Sequence, residues 1–237
     1  EDWVLMGVRF PSQRGAIKFT QTRLMRYRVG SSEAPNNAFS RSFLSRLRRQ
    51  PQFQDRVVDF LPDDPEHFLV QFNGSDASNT RDLKVRLEDG SVSTFEKSRS
   101  HIRRWITDRQ GRVRVAIRVK DTDVEIRING TEPRAKWKAI WRYEVFSDAE
   151  VTPLGFGHDP HTLYITRYHE GRKAVFRVDL SEDAGQNEEL VYSEPAYDAD
   201  GKLIYSRLAS RVVGFAPANS SGYVFWDPDY QALQGGL

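Results

Sequence analysis

The chain has 237 residues, of which 38% are hydrophobic and 29% charged, and it contains no cysteine. Disulfides, thiolate nucleophiles, cysteine zinc sites and iron–sulfur clusters are therefore excluded, because each needs a sulfur ligand. No apolar run approaches the roughly 18 to 20 residues that span a bilayer. The first residues, Glu1-Asp2-Trp3-Val4-Leu5-Met6, lack the order of a signal peptide and an initiator methionine, as expected of an excised piece of a longer protein.

Taken in chain order, Trp3–Phe10 and Ile17–Val29 read as strands. Up to Phe60, eleven Lys/Arg stand against five acidic residues, a local balance of +6 in a chain whose total is +2. Within that basic region Phe39, Phe43, Leu44 and Leu47 fall on one face of a short helix near residues 39–49, with Arg41, Arg46, Arg48 and Arg49 around them. This pattern predicts an amphipathic insertion docked on the body with a solvated arginine face, rather than a membrane or nucleic-acid contact.

The remainder reads as strands. Val113, Val115, Ile117 and Val119 alternate with charged residues, as do Val124, Ile126 and Ile128, which is the period of a pleated strand. Further strands are expected at Arg56–Phe60, Phe68–Phe72, Leu83–Leu87, Val92–Glu96, Ile102–Thr107, Trp137–Val145, Leu154–Phe156, Leu163–Tyr168, Ala174–Asp179, Leu190–Tyr192, Leu203–Ser206, Val212–Phe215 and Tyr223–Trp226.

An acidic Pro/Gly turn recurs before an apolar strand: Leu61-Pro62-Asp63-Asp64-Pro65-Glu66-His67, Thr107-Asp108-Arg109-Gln110-Gly111-Arg112, Gly157-His158-Asp159-Pro160-His161-Thr162 and Asp198-Ala199-Asp200-Gly201-Lys202. The spacings from Asp63 to Asp108, Asp159 and Asp200 are 45, 51 and 41 residues, near the roughly 40 to 50 of a four-stranded propeller blade. A sandwich has no reason to repeat at that period. The expected fold is all-β, a β-propeller segment of about five four-stranded blades. Its blades are 1–52 with the helical insertion, 53–98, 99–147, 148–194 and a partial 195–237.

These turns resemble the propeller half of bacterial serine peptidases of the prolyl oligopeptidase family, especially its acylaminoacyl-peptidase-like and dipeptidyl-peptidase-like members. So do Pro153-Leu154-Gly155-Phe156, Leu163-Tyr164, the run from Gly171 to Leu180 and Arg211-Val212-Val213-Gly214-Phe215. Similar Asp-x-x-Gly turns occur in TolB-like propellers. The peptidase resemblance implies a non-catalytic gating and substrate-positioning domain, with peptide substrates and an α/β-hydrolase domain of the same parent chain as partners, in the periplasm or cytoplasm of a bacterium. The catalytic serine of such an enzyme sits in a Gly-x-Ser-x-Gly elbow, and this sequence has none. Asn219-Ser220-Ser221-Gly222 lacks its flanking glycine. The TolB resemblance implies instead a protein-binding scaffold without activity.

Other constellations read as structural. His158 and His161, with Asp159 between them and His169 beyond, have metal-like spacing but occupy a turn whose Asp and Pro the turn itself explains. His67 and His101 read as structural histidines. Asp63-Asp64 and Glu188-Glu189 are adjacent, so on a strand their side chains diverge and cannot share acid/base work. Certain dipeptidyl peptidases present a double glutamate to the substrate amine, but Glu188-Glu189 reads as solvated charge. Trp137 and Trp141 are expected on one packed strand face, and Trp105 and Trp226 in the core. Asn73-Gly74-Ser75 and Asn129-Gly130-Thr131 read as hairpin turns. No phosphate loop occurs, and no cofactor, metal or nucleic acid is called for.

Overall fold

The computed structural model describes residues 2–47, 50–73, 79–132, 135–181, 187–219 and 222–236. Arg48, Arg49, Gly74, Ser75, Ser220 and Ser221, named above, lie outside them. The chain divides into two compact units, Glu1–Trp105 and Ile106–Leu237.

In the first unit, β1 (Trp3–Arg14) and β2 (Ile17–Arg28) pair along their whole length. The hairpin turns at Gly15, whose φ of 59° lies in the left-handed region open to glycine. β3 (Asn36–Asn37) completes a sheet of order β1-β2-β3. Helix α1 (Arg41–Ser45) is capped by Ser40, whose hydroxyl accepts the Phe43 N–H. A second sheet follows, β4 (Val57–Asp59), β5 (His67–Asn73), β6 (Asn79–Arg86) and β7 (Val92–Ser100), in that order.

One face of the second sheet, with Phe68, Val70, Phe72, Leu83 and Val85, packs on Leu24 and Phe39, with Phe43, Leu44 and Leu47 alongside. Phe39 meets Phe72 edge to face at 5.3 Å. Each fully buried side chain of this kind contributes ~1.5–3 kcal/mol. Arg41 and Arg46 are exposed, so the insertion docks as its apolar spacing requires, although its helix is a single turn and a half. Gly90 fixes the docking. Its φ is 69°, its carbonyl accepts the Ser40 N–H at 2.8 Å, and a Cβ there would lie 2.7 Å from both Ala38 O and Ser40 N.

The opposite face of the second sheet meets β8 (Ile102–Thr107) through polar side chains. Gln71 Nε2 donates to Arg103 O at 2.9 Å, and its Oε1 accepts the Trp105 N–H at 3.2 Å. Thr80 donates to Ile102 O at 2.8 Å. Trp105 is core, as its apolar context predicts.

β8 leads a sheet of order β11-β10-β9-β8, with β9 (Val113–Lys120), β10 (Asp123–Ile128) and β11 (Lys138–Glu144). Then come β12 (Val151–Phe156), β13 (Thr162–His169), β14 (Arg172–Asp179) and β15 (Asn187–Tyr192), a second four-stranded meander. β16 (Gly201–Ser206), β17 (Arg211–Pro217) and β18 (Val224–Phe225) form a three-stranded sheet, and helix α2 (Pro228–Gly235) ends the chain.

In the second unit the β12–β15 sheet is covered on both faces. Leu163, Ile165, Phe176 and Val178 pack on Val115, Val124 and Ile126 of the preceding sheet. Tyr164 and Val175, from the other face, pack on Val212 and Phe215 of the following one.

Local expectations change in two places. A register shift between Ile126 and Arg127 puts Ile140 with Trp141, Tyr143 and Val145 on the core, while Trp137 precedes the strand; a bulge breaks the strict alternation that placed both tryptophans together. Asn129-Gly130 opens the long connection from β10 to β11 and is not a two-residue turn. The tight turn with both residues left-handed is Glu170-Gly171, at φ 50° and 81°. The last sheet has three strands among the described residues, where the sequence places Leu203–Ser206, Val212–Phe215 and Tyr223–Trp226.

Candidate functional site

Among the described residues no group of three or more His, Asp or Glu side chains is placed to hold a metal ion. Asp159 Oδ1 accepts the His161 N–H at 2.9 Å, the ordinary bond of an Asx turn. His169 lies in the next hairpin, edge-on to Phe176 at 5.8 Å. His67 has a carboxylate partner in its own turn: Asp64, three residues earlier, meets its Nδ1 at 2.8 Å and also pairs with Lys84 at 2.5 Å. The turn brings the two together.

A cleft of about 670 Å³ opens in the second unit, between the β12–β15 and β16–β18 sheets. One end is the Gly157–Thr162 turn, with His158 and Asp159 at its rim. Tyr164 and Val212 supply the apolar floor, and Arg177, Asp179, Asn187, Glu188, Glu189 and Arg211 the polar walls. The strand period explains this mixture, because β14 and β15 turn alternate residues inward and outward along the opening. Behind the floor, Trp226 stacks on Tyr164 at 5.8 Å and 15°. Burial raises the Tyr164 phenol above its ordinary range, against the opposing pull of Arg177.

The charges of the walls are largely matched. Glu188 pairs with Arg167 at 2.7 Å, and the exposed Glu189 pairs with Arg177. Arg211 pairs with Asp227 and, at 3.2 Å, with Asp229. Asp179 is held below the usual carboxylate range by hydrogen bonds from the Ser181 side chain and N–H. Glu188-Glu189 thus diverges as an adjacent pair on a strand must. Only Glu189 is solvated charge, since the Glu188 side chain is 12% exposed.

The turn of the preceding sheet approaches the same end. Arg109 lies over the Tyr205 ring at 4.4 Å, and Tyr205 donates to Phe156 O at 3.1 Å. No family model and no curated protein matches the chain. Among solved structures, TolB from Acinetobacter baumannii is similar, with a TM-score of 0.52 at 14% identity over 85% of this chain. The fold is a β-propeller. At that identity the likeness establishes the fold alone, and this propeller segment corresponds to 45% of the length of the TolB chain.

Two functional-looking groups escaped the sequence. Asp108 and Arg114, 1% and 2% exposed, pair inside the second unit. Asp82 is fully buried in the first. Arg114 and Asp82 sit at polar positions of alternating strands. A strand covered on one face would leave them in water, and only the neighbouring sheet tells otherwise.

Proposed function

We propose that this chain is a non-catalytic propeller segment that serves as a binding scaffold, holding a peptide or an extended part of a protein partner in the cleft between the β12–β15 and β16–β18 sheets. The observation that carries this reading is the pairing of Arg177 with Glu189 at the cleft wall. Side by side, 48% and 60% exposed, they offer a donor fork and an acceptor to the complementary groups of a peptide backbone. The apolar floor of Tyr164 and Val212 supports the same reading, since small-molecule and peptide sites combine apolar area with a few fixed polar groups.

The test is titration of a panel of fluorescent peptides against the purified chain, followed by anisotropy and by emission of Trp226, which stacks on the floor residue Tyr164. Saturable binding that weakens in Arg177→Ala and in Glu189→Ala supports the scaffold. Binding indifferent to both variants overturns it.

A second reading is the gating domain of a prolyl-oligopeptidase-like serine peptidase, with hydrolysis carried by an α/β-hydrolase domain of the parent protein. The recurrent acidic turns at Asp63, Asp108, Asp159 and Asp200 favour it. The double-glutamate role is disfavoured, because the Glu188 side chain is 12% exposed and held by Arg167, which leaves Glu189 to act alone. The coding sequence beyond Leu237 separates the readings: a domain with a Gly-x-Ser-x-Gly elbow supports the gate, and a stop codon the free-standing scaffold. In either reading the purified 237-residue chain hydrolyses no peptide or ester. Turnover abolished by a serine-directed inhibitor would contradict both.

A further inference from the structure

The β1–β2 hairpin leaves one edge of the first sheet open. In the order β1-β2-β3, β1 pairs only with β2. Among the described residues no backbone hydrogen bond reaches the outer side of Trp3–Arg14.

The register identifies which groups face outward. Val29 N–H donates to Asp2 O at 2.9 Å, and Trp3 lies opposite Arg28. In an antiparallel ladder hydrogen-bonded and non-hydrogen-bonded pairs alternate. Val4, Met6, Val8 and Phe10 therefore bond to β2, while Trp3, Leu5, Gly7 and Arg9 direct their N–H and C=O groups outward. Pro11 falls in the outward set, the one place where a proline costs the ladder nothing, and it ends the run of outward donors. The open edge thus extends over Trp3–Arg9, about one average strand.

Protein edges of this length are commonly blunted by inward charges, bulges or covering loops. Here the side chains beside the edge are inviting. Val4 and Val8 are 41% and 43% exposed, and Arg23, opposite Val8 in the register, lies over the Phe10 ring at 5.4 Å. Residues 3–28 include six basic side chains and no acidic one. Glu88 pairs with Arg28 at 3.9 Å. Arg9, Arg14, Lys18 and Arg23 make no ion pair among the described residues.

We propose that the open edge of β1 between Trp3 and Arg9 takes an acidic, extended peptide segment as an added antiparallel strand. Backbone groups of Trp3, Leu5, Gly7 and Arg9 supply the ladder, as in other strand additions. Alternate apolar residues of the partner cover Val4, Met6 and Val8 on one face, and its carboxylates, on the other, meet Arg9. A second copy of this chain is disfavoured as the occupant, since pairing β1 with itself brings two strongly basic hairpins together. The edge lies in the first unit and shares no residue with the cleft.

The probe is a fluorescein-labelled peptide of alternating valine and glutamate, eight residues long, titrated against the full chain by anisotropy. Controls are the valine–lysine peptide and a valine–glutamate peptide broken by two prolines. The expected result is binding of the acidic peptide alone, weakening with salt. It falls about tenfold or more in Arg9→Pro, which deletes an outward donor without touching the β1–β2 ladder, and in Arg9→Glu, which reverses the charge. Unchanged thermal unfolding of the two variants confirms that the hairpin persists. Equal binding of the proline-broken or lysine peptide, no binding of the acidic one, or indifference to Arg9→Pro overturns the proposal. Concentration-dependent dimerisation abolished by Arg9→Pro would assign the edge to a second copy and overturn it also.

Discussion

Asp108 and Arg114 form an ion pair at 3.4 Å in which the side chains are 0% and 3% exposed. The aspartate also caps its own turn, accepting the Gln110 and Arg112 N–H groups at 3.0 Å each, and Arg114 Nε donates to Asn129 O at 2.6 Å. Burial lowers the Arg114 pKa, and the neighbouring Asp108 opposes that shift. Removing one partner of such a pair leaves a buried charge uncompensated, which costs ~3–5 kcal/mol. Asp108→Asn is expected to lose that much in urea unfolding, and Asp108→Asn with Arg114→Met to recover part of it. A loss below about 1 kcal/mol in the single variant would show the pair to be dispensable.

Asp82 behaves in the opposite sense. Both carboxylate oxygens are buried without a hydrogen-bond partner. Its pKa is pushed up to about 8, by burial first and Glu96 second, with Arg56 opposing. The folded chain therefore keeps this proton between about pH 4 and pH 8, where the unfolded chain has released it. The stabilising contribution is fully present below the unfolded value and disappears as pH rises through the folded one, at up to ~1.4 kcal/mol per pH unit. Asp82→Asn imitates the protonated group, so its advantage over the parent should grow from pH 5 to pH 8 in chemical denaturation. A constant difference across that range would exclude the buried carboxyl as its source.

Gly90→Ala should unfasten the helical insertion. The new methyl group meets the backbone of Ala38 and Ser40, and the left-handed φ is disfavoured for alanine, together costing about 1–3 kcal/mol. Limited proteolysis between Ser40 and Gln50 should speed up before global unfolding does. Unaltered cleavage would mean that Phe39 and Phe43 hold the segment unaided.

Tyr143 and Tyr205 are both pushed up to about 12 by burial, with Glu150 adding to the shift at Tyr143 and Arg109 opposing it at Tyr205. In a spectrophotometric titration these two of the nine tyrosines should ionise only as the chain unfolds in alkali. Tyr205→Phe should remove one of the late steps. Titration of all nine near pH 10 would contradict their burial.

The all-β character was legible because Val113–Val119 and Val124–Ile128 carry the strand period openly, and the turns at Asp108 and Asp159 carry their own hydrogen-bonding residues. The docked face of α1 followed from Phe39, Phe43 and Leu44. The buried charges were not legible. Arg114 and Asp82 occupy the polar positions of alternating strands, and alternation marks only which residues share a face. Whether water or another sheet covers that face is decided by chain segments far away. The cleft was hidden for a related reason, since Thr162 and Arg211 line it from strands about 50 residues apart. Asp64 and His67 could have been paired from the turn alone, three residues being the reach of that bend.

Every sheet here is made of strands consecutive in the chain. A nascent chain emerging from the ribosome can therefore finish each hairpin meander before the next begins, and no strand waits for a distant partner. Loop closure stays short at each step, which favours rapid, stepwise folding. The vulnerable intermediate is the one that has just completed β15, when Tyr164 and Val175 have no cover until β16 and β17 are synthesised. Slowed translation at that point would expose this apolar face for longest, making residues 193–212 the stretch where synthesis rate most affects yield.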